Sequence, residues 1–418
     1  FVLMTVLLDV ADEILELICD YLQTSALSQA CPRTWACLQR RHIRYRVGTG
    51  NDTRTEAMHT EVARALRCGL QAHTASLNLA WNSLDLRADE QLKRPEHQQA
   101  PWLEALAELQ HAPVLHTLAL DLGGNKVAGA GAQALAGLHH APALHTLHLN
   151  LFRNEVRDAG VQALASLKHA PALQILSVDL SRNEVGDAGV QALAALKEAP
   201  LIHTLTLSLG GNDIRDAGAQ ALAFLKDMPC LQNLTINLPD NNLGPAGAQA
   251  LATLGACSLH TLTLDLAGNE VGDSGVQALA NTLKHAPSLQ TLHLNLAVND
   301  VGDFGARALT VLKHTPLLQV LTLNLAVNEV GDSGARALLA LRDSRALRTL
   351  SLDLSGNEVG EPGARALNGF RRAPSLHSFT LKLAGNKMEN ARGHGIASMT
   401  DAPSLHALSV GSGLWGRG

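Results

Sequence analysis

The sequence predicts a curved α/β solenoid: a parallel sheet of short strands on a concave face, short helices on the convex face, and a small all-helical segment in front. Three observations carry this. Asparagines stand in one column at Asn125, Asn154, Asn183, Asn212, Asn241, Asn269, Asn299, Asn328, Asn357 and Asn386, in steps of 29, 29, 29, 29, 28, 30, 29, 29 and 29 residues. Before each lies a run in which leucines alternate with polar residues. After six of the ten comes an Asp-x-Gly stretch leading into apolar residues at helical spacing. A fixed period of this kind marks units whose apolar faces are buried only against neighbouring copies.

Residues 144–171 show the unit. Leu147, Leu149 and Leu151 alternate with His148 and Asn150, the period of two of a half-buried strand. Asn154-Glu155-Val156 turns the chain, and Asp158-Ala159-Gly160 predicts a helix start with an acid at its cap. Val161, Leu164, Ala165 and Leu167 follow at helical spacing, and Pro171 closes the helix because the residue before a proline is pushed out of the α region. An earlier copy, SLNLAWNSL around Asn82, precedes Asn125 by 43 residues, and the polar insertion Arg87–Gln99 accounts for the long step. That insertion is expected to be a mobile loop. Strands pair about 4.8 Å apart and helices pack about 8–10 Å apart, so the array must curve with its strands inside.

This pattern resembles the leucine-rich repeat family, in its longer subtype typified by ribonuclease inhibitor, over roughly residues 70–410. The resemblance implies a right-handed horseshoe, expected here over residues 55–410 with about eleven repeats. The family pattern L-x-x-L-x-L-x-x-N gains two residues here, Leu144-x-x-Leu147-x-Leu149-x-Leu151-x-x-Asn154, which predicts a longer strand.

Residues 4–46 lack the repeat. Ile14, Leu15, Ile18, Tyr21 and Leu22 form a helical stripe, and Trp35 and Leu38 fall on a second predicted helix. Val10-Ala11-Asp12-Glu13-Ile14-Leu15 followed by Cys31-Pro32-Arg33-Thr34-Trp35 resembles an F-box, with Ala11 where that motif has proline and with Pro32 intruding. The resemblance implies that Ile14, Leu15, Ile18, Leu22 and Trp35 bind the adaptor of a cullin ubiquitin ligase while the repeats hold its target. The other reading of this segment is an amphipathic cap over the first repeat. Gln39–Val47, with four arginines, is expected to be a solvated helix end.

Composition narrows the function classes. The net charge is −5 and aromatics are 3% of the 418 residues, leaving neither an electrostatic footprint nor stacking platforms for nucleic acid. The six cysteines show no C-x-x-C spacing, which points to free thiols in a reducing compartment, cytoplasm or nucleus. The apolar opening stops at Asp9 without a basic region before it, so neither a signal peptide nor a membrane span is expected. Because residue 1 is Phe, the chain is expected to be a fragment, or to start at Met4.

No phosphate-binding loop, G-x-S-x-G or H-E-x-x-H occurs, and no enzyme, cofactor or metal site is expected. Three readings remain: substrate receptor of a ubiquitin ligase, leucine-rich interaction scaffold without that role, and a Ran-type GTPase activator, which shares the repeat subtype. The asparagine column is expected to satisfy turn backbone. Acids after the turn and Lys168, Lys197, Lys226, Lys284, Lys313 and Arg342 at helix ends suit the helix dipole. His116, His145, His203, His260, His377 and His406, alternating with glutamines, are expected to stack at the strand entrance rather than bind metal.

The inner face is the informative surface. One column runs Asp121, Asn150, Asp179, Ser208, Asn237, Asp265, Asn295, Asn324, Asp353, Lys382; beside it run Ala119, His148, Ser177, Thr206, Thr235, Thr263, His293, Thr322, Ser351 and Thr380. Asp121, His148, Asp179, Asp265, His293 and Asp353 are the candidate residues for holding a basic, extended polypeptide. The same columns also fit a merely solvated sheet face.

Overall fold

A computed structural model of the chain describes residues 42–46, 55–68, 70, 72–80, 101–387 and 407–411. They form one parallel sheet of 13 strands in sequence order. The strands are β1 (His42–Arg46), β2 (Thr74–Asn78), β3 (Thr117–Asp121), β4 (Thr146–Asn150), β5 (Ile175–Asp179), β6 (Thr204–Ser208) and β7 (Asn233–Asn237), then β8 (Thr261–Asp265), β9 (Thr291–Asn295), β10 (Val320–Asn324), β11 (Thr349–Asp353), β12 (Ser378–Lys382) and β13 (Ala407–Gly411).

Eleven helices cover one face of the sheet. They are α1 (Thr55–Cys68), α2 (Pro101–Glu108), α3 (Ala128–Ala136), α4 (Arg157–Leu164), α5 (Asp187–Leu193), α6 (Asp216–Leu222), α7 (Pro245–Ala252), α8 (Gly272–Leu283), α9 (Asp303–Leu309), α10 (Asp332–Leu338) and α11 (Glu361–Leu367). From α2 onward, all but α8 run into a short 3-10 turn. The outcome is an open solenoid with its strands inside, as the spacing predicts. Each strand has five residues, and the ladder runs one step further, with Leu151 N–H donating to the Asp179 carbonyl at 2.8 Å. The added leucine therefore extends the pairing.

The core is a stack of leucine columns. Leu147, Leu149 and Leu151 from the strand, Val156 from the turn, and Val161, Leu164 and Leu167 from the helical side are all buried, and every repeat supplies their equivalents. Burial of each such side chain contributes about 1.5–3 kcal/mol. From α3 onward helices approach closely because a glycine sits in each first turn. A Cβ on Gly160 would lie 3.1 Å from the Ala132 Cβ, and one on Gly275 would lie 3.0 Å from the Pro245 Cα.

Polar ties lock the repeats in register. Asn183 is fully buried. Its Oδ1 accepts the Asn154 and Val156 N–H groups (3.0 and 3.1 Å), while its Nδ2 donates to the Leu151 and Ser181 carbonyls (2.7 and 3.1 Å). Three of those four partners belong to the preceding repeat. The residue before each such asparagine is left-handed: Gly124, Arg153, Arg182, Gly211, Asp240, Gly268, Val298, Val327, Gly356 and Gly385 have φ from 53° to 72°. That conformation aims its N–H at the next repeat, as when Arg182 N–H meets the Gly210 carbonyl at 2.8 Å.

The acids at the helix starts work across repeats. Asp158 Oδ1 accepts the N–H groups of Gly186 and Gly189, at 2.8 and 3.0 Å, capping α5 in the next repeat and not its own helix. Asp187, Asp216, Asp273, Asp303 and Asp332 each cap the following helix in the same way. Where Gly129 or Pro245 stands in the acid's place, the following helix has no such cap. There Arg157 and Gly272 turn left-handed (φ 58° and 57°), donating to the Asn183 and Asn299 carbonyls.

Two expectations change. His42–Arg46 is a strand paired in register with β2, not a helix end, so the sheet begins upstream of the expected boundary. Arg44 and Arg46, both exposed, extend the inner-face columns: Arg44 pairs with Ser76, and Arg46 with Asn78. The segment 4–41, with Ile14, Leu15, Ile18, Leu22 and Trp35, lies outside the described residues, as does the Arg87–Gln99 insertion.

Replacing Asn183 by Ala strands three buried backbone groups and one half-buried one, each buried group costing about 1–3 kcal/mol when left unpaired. The variant should lose about 3 kcal/mol or more of unfolding free energy in chemical denaturation. A loss within the range of an ordinary surface substitution would show that water replaces the amide.

Candidate protein-binding face

The sheet pairing puts the inner column into one ladder. Asp121 pairs with Asn150, Asn150 with Asp179, and so on through Ser208, Asn237, Asp265, Asn295, Asn324 and Asp353 to Lys382. Arg46 and Asn78 continue it upstream and Gly411 follows Lys382 downstream, so a cation stands at or beside each end of the described ladder. The second column is likewise in register, from Ala119 and His148 to Thr380.

Most ladder residues also terminate their own strands. Oδ1 of Asp121, Asp179, Asp265 and Asp353 accepts the N–H two residues on, from Gly123, Ser181, Ala267 and Ser355, at 2.8–3.1 Å. Asn150, Asn295 and Asn324 do the same with their amide oxygens. Asn237 is different because Pro239 has no N–H to give; its Nδ2 instead donates to Ser208 Oγ at 3.1 Å. Asp and Asn are thus interchangeable for the turn. The aspartates differ only in presenting a second, charged oxygen.

At β11 that second oxygen has a partner: Lys382 Nζ lies 3.0 Å from Asp353 Oδ2. Burial pushes the Asp353 carboxyl up, but hydrogen bonds from Ser355 and Lys382 outweigh it and hold the group below its ordinary value. Asp353 is therefore the ladder acid already neutralised by the chain itself. Asp121, Asp179 and Asp265 make no such pair among the described residues.

An open groove of about 380 Å³ lies at the amino-terminal end of this face, lined by Ser76, Asn78, Ala119, Asp121, His148, Asn150, Ser177 and Asp179. It brings together three of the six candidate residues, Asp121, His148 and Asp179. Asp265 and His293 lie on the adjacent strands β8 and β9, three strands past Asp179, and Asp353 lies further still on β11. At about 4.8 Å per strand, the four aspartates span roughly 40 Å. Such a row suits a polymer and not a small molecule. Among the described residues no group of three or more His, Cys, Asp or Glu is placed to hold a metal ion.

The histidine column stacks. His73, His116 and His145 have ring centroids 5.3 and 5.4 Å apart, and the Nδ1 atoms of His73 and His116 lie 3.3 Å from each other. His73 escaped sequence reasoning because the long first step hides its column. Cys68 and Cys230 are exposed and Cys257 is partly buried, all as free thiols, with burial pushing the Cys257 thiol up. No helix among the described residues is long and apolar enough to cross a membrane.

The Leucine Rich repeat family matches residues 116–136, 143–165, 175–194, 202–223, 230–252, 258–280, 319–339 and 347–367. The crystal structure of an internalin from Listeria monocytogenes is similar over 86% of this chain and 95% of its own, at 15% identity and a TM-score of 0.42. No curated protein is detectably similar in sequence. Over its eight matched repeats the chain is a leucine-rich repeat protein. Such repeats suggest a protein-binding scaffold, and the family is typically non-enzymatic.

The depressed Asp353 carboxyl has a pH signature. A group held below its unfolded value adds stability above about pH 4 and loses it as pH falls through the folded value. Asp353→Asn keeps the turn and should be modestly less stable than the parent at neutral pH. The difference should close on acidification below about pH 4 in urea titrations. A pH-independent difference would assign the effect to packing.

Proposed function

We propose that the concave face holds an extended, lysine- or arginine-bearing segment of another protein. The observation that carries this reading is the groove at Asp121, His148 and Asp179, where two carboxylates keep an oxygen that neither the turn nor an ion pair uses. The spacing is suggestive. Asp121 and Asp179 lie two strands apart, about 10 Å, and an extended chain advances about 3.3 Å per residue. A segment crossing the strands would thus meet the ladder with cations about every third residue. The Lys382–Asp353 pair exemplifies an ammonium seated on this ladder.

The triple change Asp121→Asn, Asp179→Asn and Asp265→Asn tests the charge alone, since asparagine serves the same turn in neighbouring repeats. With a synthetic peptide of lysines spaced in serine as probe, affinity should fall roughly tenfold or more, and its salt dependence should flatten. Unaltered affinity and salt slope would move the binding site off this face.

On the resemblance of residues 10–35 to an F-box, we further propose that the scaffold is the substrate receptor of a cullin ubiquitin ligase inside the cell. Ile14, Leu15, Ile18, Leu22 and Trp35 would contact the adaptor. Purified adaptor should be retained by the full chain and lost on Ile18→Asp or Trp35→Ala, with the melting of the repeats unchanged. If residues 1–41 instead only cap the array, their removal should cause aggregation by exposing its apolar end. A full-length chain that never retains adaptor would sink the ligase reading and leave the scaffold.

A further inference from the structure

A second surface lies on the turn rim, three residues past the concave ladder in each repeat. The left-handed position before the buried asparagine is glycine in five repeats, where that conformation is free of strain. In two adjacent repeats it is Val298 and Val327, at φ 56° and 55°. A β-branched residue in that region is a genuine outlier and carries backbone strain. Folding does not call for valine there. Nor does burial, since the two side chains are 52% and 59% exposed.

The pair forms a ridge. Residues of this column stack from repeat to repeat; a Cβ on Gly356 would lie 3.2 Å from Val327 Cγ2. Gly268 precedes Val298 and Gly356 follows Val327, so the two valines stand proud of neighbours without side chains. Ala297 and Ala326 come just before the valines in sequence, and Phe304, on α9, is 74% exposed. The rim position after the asparagine is acidic here: Glu270, Asp300 and Glu329 are exposed and have no ion pair among the described residues. Elsewhere on the rim that position is neutralised within the chain, as in Arg157–Glu184 at 2.8 Å, Arg215–Asp213 at 3.5 Å and Lys387–Glu358 at 2.8 Å. Among the described residues, the rim acids at that position without an ion pair are those around the valine ridge.

We propose that the Val298–Val327 ridge, with Glu270, Asp300 and Glu329 around it, docks a partner protein through an amphipathic helix carrying leucines flanked by lysines or arginines. The aliphatic pair supplies the apolar surface that a partner would bury. The unpaired acids select a basic partner and exclude an acidic one. This surface is independent of the concave ladder, so one protein can hold two partners or two parts of one.

The double variant Val298→Gly/Val327→Gly separates docking from folding, because glycine relieves the turn strain. Its thermal midpoint should equal or exceed the parent's. Its affinity for a synthetic amphipathic leucine–lysine helix should fall roughly tenfold or more in fluorescence anisotropy. Asp121→Asn/Asp179→Asn/Asp265→Asn should bind that helix like the parent, which keeps a failure of the concave-face reading distinct from a failure here. The proposal is overturned if the parent does not bind the helix at low salt, or if the valine variant binds it equally well. It is also overturned if sedimentation shows the parent self-associating through the ridge, since the occupant would then be a second copy of this chain.

Discussion

Each repeat leaves buried turn backbone that it cannot satisfy by itself, and the rest of the structure depends on how this is solved. The solution is one asparagine side chain per repeat, with its oxygen taking one or two N–H groups from the preceding turn, two at Asn183 and one at Asn241, and its nitrogen giving to carbonyls of both turns. Only a primary amide has donors and acceptors arranged to do this without charge. Because the bonds cross from repeat to repeat, no copy is complete alone. The period of 29 is therefore a hydrogen-bonding constraint as much as a hydrophobic one.

A second tie explains the Asp-x-Gly stretch, which intrarepeat reasoning assigned to the wrong helix. The aspartate of one repeat caps the helix of the next, and the glycine of that next helix makes room for it. A Cβ on Gly189 would lie 2.6 Å from Asp158 Oδ1, and the same distance recurs at Gly218, Gly247, Gly305, Gly334 and Gly363. Where the preceding acid is missing, the chain finds another partner by turning left-handed at Arg157 and Gly272. The backbone at each helix entry is thus decided by a residue about 28 positions earlier, as the Gly186–Asp158 bond shows.

These couplings mark how far the sequence was legible. The strand columns, the asparagine turn, the helix positions and the inner-face register follow from periodicity, because a repeated unit states the same pattern many times. Matched irregularities were harder. The repeat closing at Asn269 is one residue short and the next one residue long. In the structure the extra length makes α8 a continuous 12-residue helix whose Leu283 reaches toward Gly255 in the shortened neighbour. Strand β1 was missed because HIRYR lacks the leucine alternation; at the end of the sheet it has only one neighbour to match. At the candidate site, the column Asp121 to Lys382 was readable, but its double use was not. Sequence alone does not tell that one oxygen of each aspartate closes a turn, leaving the other as the available group.

That double use also says where to look for function in a chain whose copies are nearly alike. A column that keeps one residue type through every repeat, such as the asparagines, is accounted for by stacking. A column in which two residue types serve the fold equally well leaves the choice between them open to another constraint. The Asp/Asn ladder is such a column, since either residue closes the turn and only aspartate adds charge. The position before the buried asparagine is one too, with a sharper contrast, since glycine serves it best and valine serves it at a cost. A solenoid tolerates such local departures because each repeat is supported by its neighbours on both sides. Recognition can therefore be written into single positions of the array, on the sheet face or on the rim, without unsettling the stack beneath.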